Sequence, residues 1–223
     1  MRIRMAALAA FVLLQVYLIG IARHETLFLD VSPHDTPSPR IFGPRKVGQT
    51  FSVRKNGLSR LDVLVGTYGR AVGADLRFEL WEVKPAEILA AETTIPASAL
   101  KDNLFASAVF KPVRRSEGKT YKFAVSAPGA AGDDSVSLWM SSRDIYRGGE
   151  TLFNDSPAGG DIVFRAYAKR PVIAELGRVT SKYPGILGSP LVFVLAAVLS
   201  EGILIYFFWR LLGGLFGGKG PHV

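Results

Sequence analysis

Two apolar runs frame the chain and leave a more polar region between them. The first run extends from Met5 to Ala22, and the second extends from Leu187 to Leu212. A helix crosses the roughly 30 Å hydrocarbon core of a bilayer with about 20 apolar residues, and a run of about 18 is already a candidate. Both runs reach that length. The pattern therefore predicts two transmembrane helices that hold the region between them at a membrane.

The region between the runs alternates between apolar and polar side chains with a period of two, as half-buried β-strands do. Leu76, Phe78 and Leu80, for example, alternate with charged or polar neighbours. Segments rich in glycine, proline and aspartate separate the alternating runs and predict turns. We expect strands at 50–53, 59–67, 75–83, 88–94, 104–110, 120–126, 135–141 and 161–168. Short strands without a long helix predict an all-β fold, an antiparallel jelly-roll sandwich.

These patterns divide the chain into six segments. We expect a transmembrane helix at 1–23, a proline-rich stalk at 24–47, the jelly-roll domain at 48–168, a juxtamembrane connector at 169–186, a transmembrane helix at 187–212 and a glycine-rich tail at 213–223. Gly20 and Ala22 resemble a cleavage site, but the apolar core is longer than the roughly 7–15 residues of a signal peptide and favours an uncleaved signal-anchor. With Arg2 and Arg4 inside, the domain is extracytoplasmic and the tail is cytoplasmic.

The composition excludes several chemistries. The chain has 27 Lys and Arg against 19 Asp and Glu, a net charge of +8. No dense basic block indicates nucleic-acid binding, so the surplus suits anionic lipids, acidic glycans or simple solubility. The absence of cysteine excludes disulfides and thiolate chemistry, and three scattered histidines predict no metal site. Carboxylates near glycine-rich turns leave a structural calcium ion as an alternative, although they lack the spacing of a calcium loop.

Glu201 is a single carboxylate in the middle of the second apolar run. A charged group at mid-bilayer costs at least about 2.5 kcal/mol, so such residues face a partner or a cavity. Gln15, Tyr17 and Ser200 are the partners available on this chain. One interpretation is a protonated Glu201 that is hydrogen-bonded within the helix pair. The other is contact with another membrane subunit, and the sequence leaves both open.

Short motifs recur at turns and core positions of the middle region. They are Gly48-Gln-Thr-Phe51, Gly57-Leu-Ser-Arg-Leu-Asp62, Gly66-Thr-Tyr-Gly69, Gly118-Lys-Thr-Tyr121, Leu138-Trp139, Tyr146 with Gly148-Gly149, and Asp161-Ile-Val-Phe-Arg165. The series resembles bacterial envelope jelly-roll modules, similar to carbohydrate-binding modules, that occur beside membrane glycosyltransferases. The resemblance covers about residues 45–168 and implies an extracytoplasmic sandwich that binds a saccharide or a neighbouring protein without catalysis. We also expect the glycines at 57, 69, 118 and 149 to adopt positive φ at strand ends.

Saccharide sites stack sugar rings on exposed aromatic side chains and orient the hydroxyl groups with polar neighbours. The candidate ligand-binding residues are Tyr146, Trp139, Tyr68, Arg143, Asp144 and Arg147. Residues 141–149 form a polar loop, and loops often carry binding residues, so Tyr146 is the preferred platform. Trp139 lies between Leu138 and Met140 in a strand, which favours a place in the core for its ring.

We interpret the chain as a non-enzymatic, membrane-anchored envelope protein. Its β-sandwich binds a glycan or scaffolds a membrane complex, and Glu201 contacts a partner subunit. One alternative is a purely structural accessory subunit that binds protein only. Another is an accessory of a glycosyltransferase or hydrolase with a cryptic active site, which would require paired carboxylates in a cleft. The expected location is a bacterial inner membrane, with the lipid bilayer and another membrane protein as partners.

Overall fold

The computed structural model describes residues 10–11, 13–15, 17, 19, 22–83 and 87–216. The chain divides into two compact units. One unit contains residues 25–169, and the other contains the two ends of the chain, 1–24 and 170–223.

The first unit consists mostly of β-strands arranged in two antiparallel sheets. Sheet 1 has the order β1-β13-β4-β9-β12, with β2 beside β9 and β7 beside β4. Its strands are β1 (Arg23–Val31), β2 (Thr36–Pro37), β4 (Leu58–Gly66), β7 (Leu104–Val113), β9 (Ser137–Ser141), β12 (Asp161–Ile162) and β13 (Phe164–Pro171). Sheet 2 has the order β11-β10-β3-β8-β5-β6. Its strands are β3 (Lys46–Ser52), β5 (Leu76–Glu82), β6 (Ile88–Ile95), β8 (Thr120–Ser126), β10 (Thr151–Phe153) and β11 (Ser156–Ala158).

The two sheets enclose one apolar core, as in a β-sandwich. Sheet 1 contributes Leu61, Val63 and Val65 from β4, and all three are fully buried. Sheet 2 contributes every second residue of β5 and β8, such as Phe78 and Phe123, whose rings stack with centroids 5.6 Å apart. The period of two that predicted the strands thus selects the core face of each strand, and the prediction of a mainly β domain is confirmed.

The segment 24–47 is not a free stalk, which corrects the prediction from its prolines. Residues 24–31 and 36–37 lie in sheet 1, as parts of strands β1 and β2, residues 46–47 begin β3 of sheet 2, and Ile41 bridges to Val136. Val31 and Ile41 are buried in the core. Three of the four prolines fall outside these strands, and Pro37 ends the two-residue strand β2, where a missing N–H is tolerated. Residues 154–160, predicted as a loop, likewise form the turn between β10 and β11 together with β11 itself.

The second unit contains helices. Apart from Ala22, the described positions of the first apolar run are helical, and the remaining positions of Met5–Ala22 lie outside the described residues. Helix α1 (Val172–Thr180) occupies the expected connector, and helix α2 (Pro190–Phe216) follows. Within the described residues, the stretch Pro190–Phe208 is the one helix long and apolar enough to cross a membrane. Helix α2 extends into the predicted glycine-rich tail as far as Phe216, and residues 217–223 lie outside the described part.

Candidate functional site

Trp139 lies on the outer face of sheet 1, not in the core. Its neighbours on β9 are the buried residues Leu138 and Met140, which point into the sandwich. Because side chains alternate along a strand, the indole of Trp139 projects from the opposite face and is half-buried there. The interpretation that placed this ring in the core is therefore corrected.

Three neighbours define the position of the indole. Position 66 on the adjacent strand is glycine, and a Cβ atom there would lie only 3.3 Å from the indole Nε1 atom. The Nε1–H group donates a hydrogen bond of 2.8 Å to the side-chain oxygen of Asn103. The ring of His34 lies beside the indole, with centroids 4.8 Å apart and an interplanar angle of 50°. Gly66 thus lets the ring lie close to the sheet, and Asn103 fixes its orientation.

Tyr68 lies in the turn that follows β4, and its aromatic ring is 47% exposed. Its backbone adopts a φ of 59°, in the left-handed region that non-glycine residues rarely enter. The carboxylate of Asp102 stabilises the turn, because it accepts hydrogen bonds from the N–H groups of Thr67 (2.7 Å) and Tyr68 (2.8 Å). Burial favours a higher pKa for Asp102, but these hydrogen bonds outweigh it and lower the pKa below the ordinary value.

Asp102 and Asn103 connect the two aromatic residues. The Asn103 amide donates to Asp102 at 3.2 Å and accepts from Trp139, so a continuous hydrogen-bonded path runs from the Tyr68 turn to the indole. We call this group the Trp139 surface, and it consists of His34, Tyr68, Asp102, Asn103 and Trp139. An indole face, a phenol ring, an amide and an imidazole are the groups that bind the C–H faces and hydroxyl groups of a sugar.

Tyr146, the preferred platform from the sequence, makes structural contacts with both its ring and its hydroxyl group. Its ring packs edge-on against the core residue Phe164, with centroids 6.2 Å apart, and its hydroxyl oxygen accepts a hydrogen bond of 3.0 Å from the Ser52 N–H. A half-buried ring with these contacts has little free face for stacking. The preference for Tyr146 over Trp139 is thus reversed by their surroundings.

A buried polar network fixes the loop that carries Tyr146. The carboxylate of Asp161 accepts hydrogen bonds from the N–H groups of Ile145 (2.6 Å) and Tyr146 (2.8 Å) and from the Gln49 amide (2.6 Å). The other end of Gln49 accepts from the Thr151 hydroxyl and the Ile162 N–H. Asp161, Gln49 and Thr151 are at most 1% exposed. The network is saturated, so it holds the loop and both sheets together and leaves no free ligand atom there.

Arg143, Asp144 and Arg147 are exposed on this loop, and no ion pair involves them within the described part of the chain. On the outer face of sheet 1, Arg60 is paired with two carboxylates. Arg60 contacts Glu25 at 2.6 Å and Asp62 at 3.0 Å. In the described residues, no group of three or more His, Cys, Asp or Glu residues could hold a metal ion. The Trp139 surface brings a half-buried indole and an exposed phenol ring together with polar side chains.

Sequence reasoning missed His34, Asp102 and Asn103. The only signal for Asp102 and Asn103 was their place in a polar turn before β7, and His34 lay in the expected stalk. Gly66 was recognised as a glycine of the motif Gly66-Thr-Tyr-Gly69, but its contact with an indole 73 positions later could not be read from the chain.

Gln15 is the predicted on-chain partner that the structure places beside Glu201. The Gln15 amide donates a hydrogen bond of 3.1 Å to the Glu201 carboxylate. Ser200 is engaged elsewhere, because its hydroxyl donates to the Ala197 carbonyl at 2.7 Å. Contact between Glu201 and another subunit stays a prediction.

Comparisons with known proteins add little to this site. No protein-family model matches the chain, and no curated protein matches it. One similar solved structure contains the cysteine protease and lectin-like domains of Cwp84, a surface layer associated protein of Clostridium difficile. It aligns over 66% of this chain and 36% of that chain at 10% identity, with a TM-score of 0.38. The flagellar cap protein FliD (domains D1-D2-D3) from Escherichia coli aligns over 90% of this chain and 72% of that chain at 10% identity, with a TM-score of 0.14. Both scores are too low to support an argument.

Proposed function

We propose that this chain is a non-enzymatic, membrane-anchored envelope protein whose β-sandwich binds a saccharide at the Trp139 surface. The observation that carries the proposal is the position of Trp139, whose indole lies on the outer face of sheet 1 against a glycine. Bulky side chains at position 66 would displace the ring. A glycine there preserves a flat aromatic floor, which suits the face of a sugar ring.

The polar groups around the indole support the same ligand class. Asn103 offers an amide, His34 an imidazole, Tyr68 a phenol hydroxyl and Asp102 a carboxylate. Donors and acceptors beside an aromatic ring match hydroxyl groups, whereas the Asp102 carboxylate would repel a phosphate or a carboxylate. The ligand we propose is therefore a neutral saccharide unit.

The proposal includes a finer architecture. The sandwich has jelly-roll connectivity, the runs Met5–Ala22 and Leu187–Leu212 both span the membrane, and the domain lies outside the cytoplasm of a bacterial cell. The apolar stretch Pro190–Phe208 supports one span by its length and composition. Protease added to intact spheroplasts should cleave the domain, whereas protection until lysis would contradict this orientation.

A glycan array probed with the full-length chain in nanodiscs tests saccharide binding. The chain should retain one glycan class, and Trp139→Ala should weaken that binding by about tenfold or more, because aromatic anchors dominate such contacts. Trp81→Ala is the matched control. Trp81 is a half-buried ring on β5, where it lies 5.9 Å from the Lys122 ammonium. Absence of any bound glycan, or an equal loss in both variants, would contradict the proposal.

A scaffolding role is the second proposed function, and the position of Glu201 favours it. Glu201 is exposed on α2, and one of its carboxylate oxygens accepts a hydrogen bond from the Gln15 amide. A partner helix therefore has access to the rest of the carboxylate. Glu201→Leu should abolish co-purification of a membrane partner in mild detergent. Glu201→Gln keeps a hydrogen-bonding group and should retain the partner. Unchanged co-purification with Glu201→Leu would argue against this role.

A further inference from the structure

One end of the sandwich carries exposed cations on two loops that are bonded to each other. The loops are 53–57, between β3 and β4, and 114–119, between β7 and β8. The Gly118 N–H donates to the Val53 carbonyl at 2.8 Å, and the buried Ser116 hydroxyl donates to the Lys55 carbonyl at 2.8 Å. These bonds fix the two loops as one platform.

The platform presents a basic rim, which we define as Arg54, Arg114, Arg115 and Lys169. All four residues are exposed, and Lys169 joins the loops because its N–H donates to the Gly57 carbonyl at 2.8 Å. The nearby carboxylates are already engaged. Glu25 pairs with Arg60, Glu82 pairs with Lys119, and Glu117 accepts from the Asn56 amide. Because the Asn56 amide is neutral, Glu117 still opposes the rim, but this single carboxylate faces four exposed cations and the rim is positive overall.

The chain enters and leaves the sandwich at this same end. Strand β1 begins here, and the Lys55 ammonium lies 3.3 Å from the Thr26 hydroxyl. Strand β13 ends here, just beyond Lys169. Thr26 follows the last residue of the first apolar run, Ala22, by four positions, and four extended residues span at most about 14 Å. The rim thus lies close to the end of that run along the chain.

We infer that the basic rim binds anionic lipid headgroups of the bilayer that anchors the chain. The inference rests on the membrane anchoring proposed above and goes beyond the saccharide site. Attraction of Lys and Arg to an anionic leaflet falls off within a Debye length, about 8 Å at physiological ionic strength, and the four-residue connection keeps Thr26 within about two Debye lengths of Ala22. Each cation strengthens docking by about fivefold, so three cations account for about 100-fold.

The test measures the distance between the rim and the bilayer in the full-length protein. The chain contains no cysteine, so Glu117→Cys offers a unique position for a donor dye. The protein is reconstituted in nanodiscs that carry acceptor-labelled lipid, either in phosphatidylcholine alone or with phosphatidylglycerol added. Energy transfer should rise with phosphatidylglycerol, fall in high salt, and lose its lipid dependence in Arg54→Gln/Arg114→Gln/Arg115→Gln.

The matched control removes three exposed cations elsewhere, Arg40→Gln/Arg45→Gln/Lys101→Gln, with the same change in net charge. This variant should behave like the parent protein. Equal transfer in both lipid mixtures, or an equal loss in the control variant, would overturn the inference. Rim-dependent binding of soluble polygalacturonate without any lipid effect would assign the rim to an acidic glycan and overturn it as well. Failure of the protein to enter nanodiscs would instead overturn the membrane anchoring on which the inference rests. Loss of lipid binding by the rim would not affect the outcome of the saccharide-binding test.

Discussion

The loop 142–150 and the Trp139 surface contain similar residue types, an aromatic ring with carboxylate and basic neighbours, but the fold uses them differently. In the loop, Tyr146 packs against Phe164 and bonds the Ser52 N–H, and Asp161 accepts two loop N–H groups. At the Trp139 surface, the hydrogen bonds run along the outer face and the Tyr68 ring remains exposed. In the loop, Tyr146 and Asp161 therefore stabilise the fold. At the Trp139 surface, the Tyr68 ring remains accessible to a ligand.

The difference shows that residue type does not identify a binding site when the fold already satisfies those residues. A buried polar network stabilises the folded state only if all its donors and acceptors are hydrogen-bonded. Such a network has no free donor or acceptor with which to bind a ligand. The loop near Tyr146 meets that condition through Gln49, Thr151 and Asp161.

Gly149→Ala should have the largest effect on stability. A Cβ atom at position 149 would lie 1.7 Å from the Thr50 carbonyl oxygen, so the loop would have to leave β3. We expect a loss of more than about 3 kcal/mol in the free energy of unfolding, as for severe overpacking. Denaturant unfolding of the full chain in micelles measures it. Gly129→Ala is the control, since nothing lies within 4 Å of its Cβ, and its effect should stay within about 0.5 kcal/mol.

Asp161→Asn should have the next largest effect. The amide would place N–H donors against the N–H groups of Ile145 and Tyr146 or against the Gln49 amide. Leaving buried donors unpaired should lower the free energy of unfolding by about 2–3 kcal/mol. Asp144→Asn changes an exposed carboxylate of the same loop and serves as the control in the same unfolding experiment. Similar stability of both variants would show that the network does not hold the loop.

Tyr146→Phe should cost about 1 kcal/mol, because it removes one hydrogen bond to the Ser52 N–H and keeps the ring. Saccharide binding should not change, in contrast to the tenfold or greater loss expected for Trp139→Ala. Thermal unfolding and glycan titration on the same samples measure both quantities. A folded Tyr146→Phe variant that loses the glycan would reverse the comparison between the two regions.

The smallest expected effect is a contribution of the Asp102 turn to acid stability. The pKa of Asp102 is lower in the folded chain than its ordinary value of 3.8, so the contribution is present above that pH and is lost as the pH falls further. Asp102→Asn should flatten the fall in unfolding free energy below about pH 4. Asp144→Asn again serves as the control. Identical slopes for Asp102→Asn and the parent chain would show that this turn contributes nothing to acid stability.

Most of the strands were predictable, and most of the candidate site was not. Alternation around Leu76, Phe78 and Leu80 places these side chains on one face by geometry alone, and all three are fully buried. Positive φ at Gly57, Gly69 and Gly118 was also predictable. Gly149 was expected to do the same, but no positive φ is found there, and it is required instead by the close approach of Thr50.

The sequence by itself determined the apolar run of α2, the β-rich middle and the faces of strands in which apolar and polar residues alternate. It could not decide the face of Leu138-Trp139-Met140, because three successive apolar residues carry no period of two. It also could not place β1 and β2 in sheet 1 or join Gln49 to Asp161, 112 positions apart. Such pairings depend on which strands become neighbours, and that is settled only when the two sheets close around a common core.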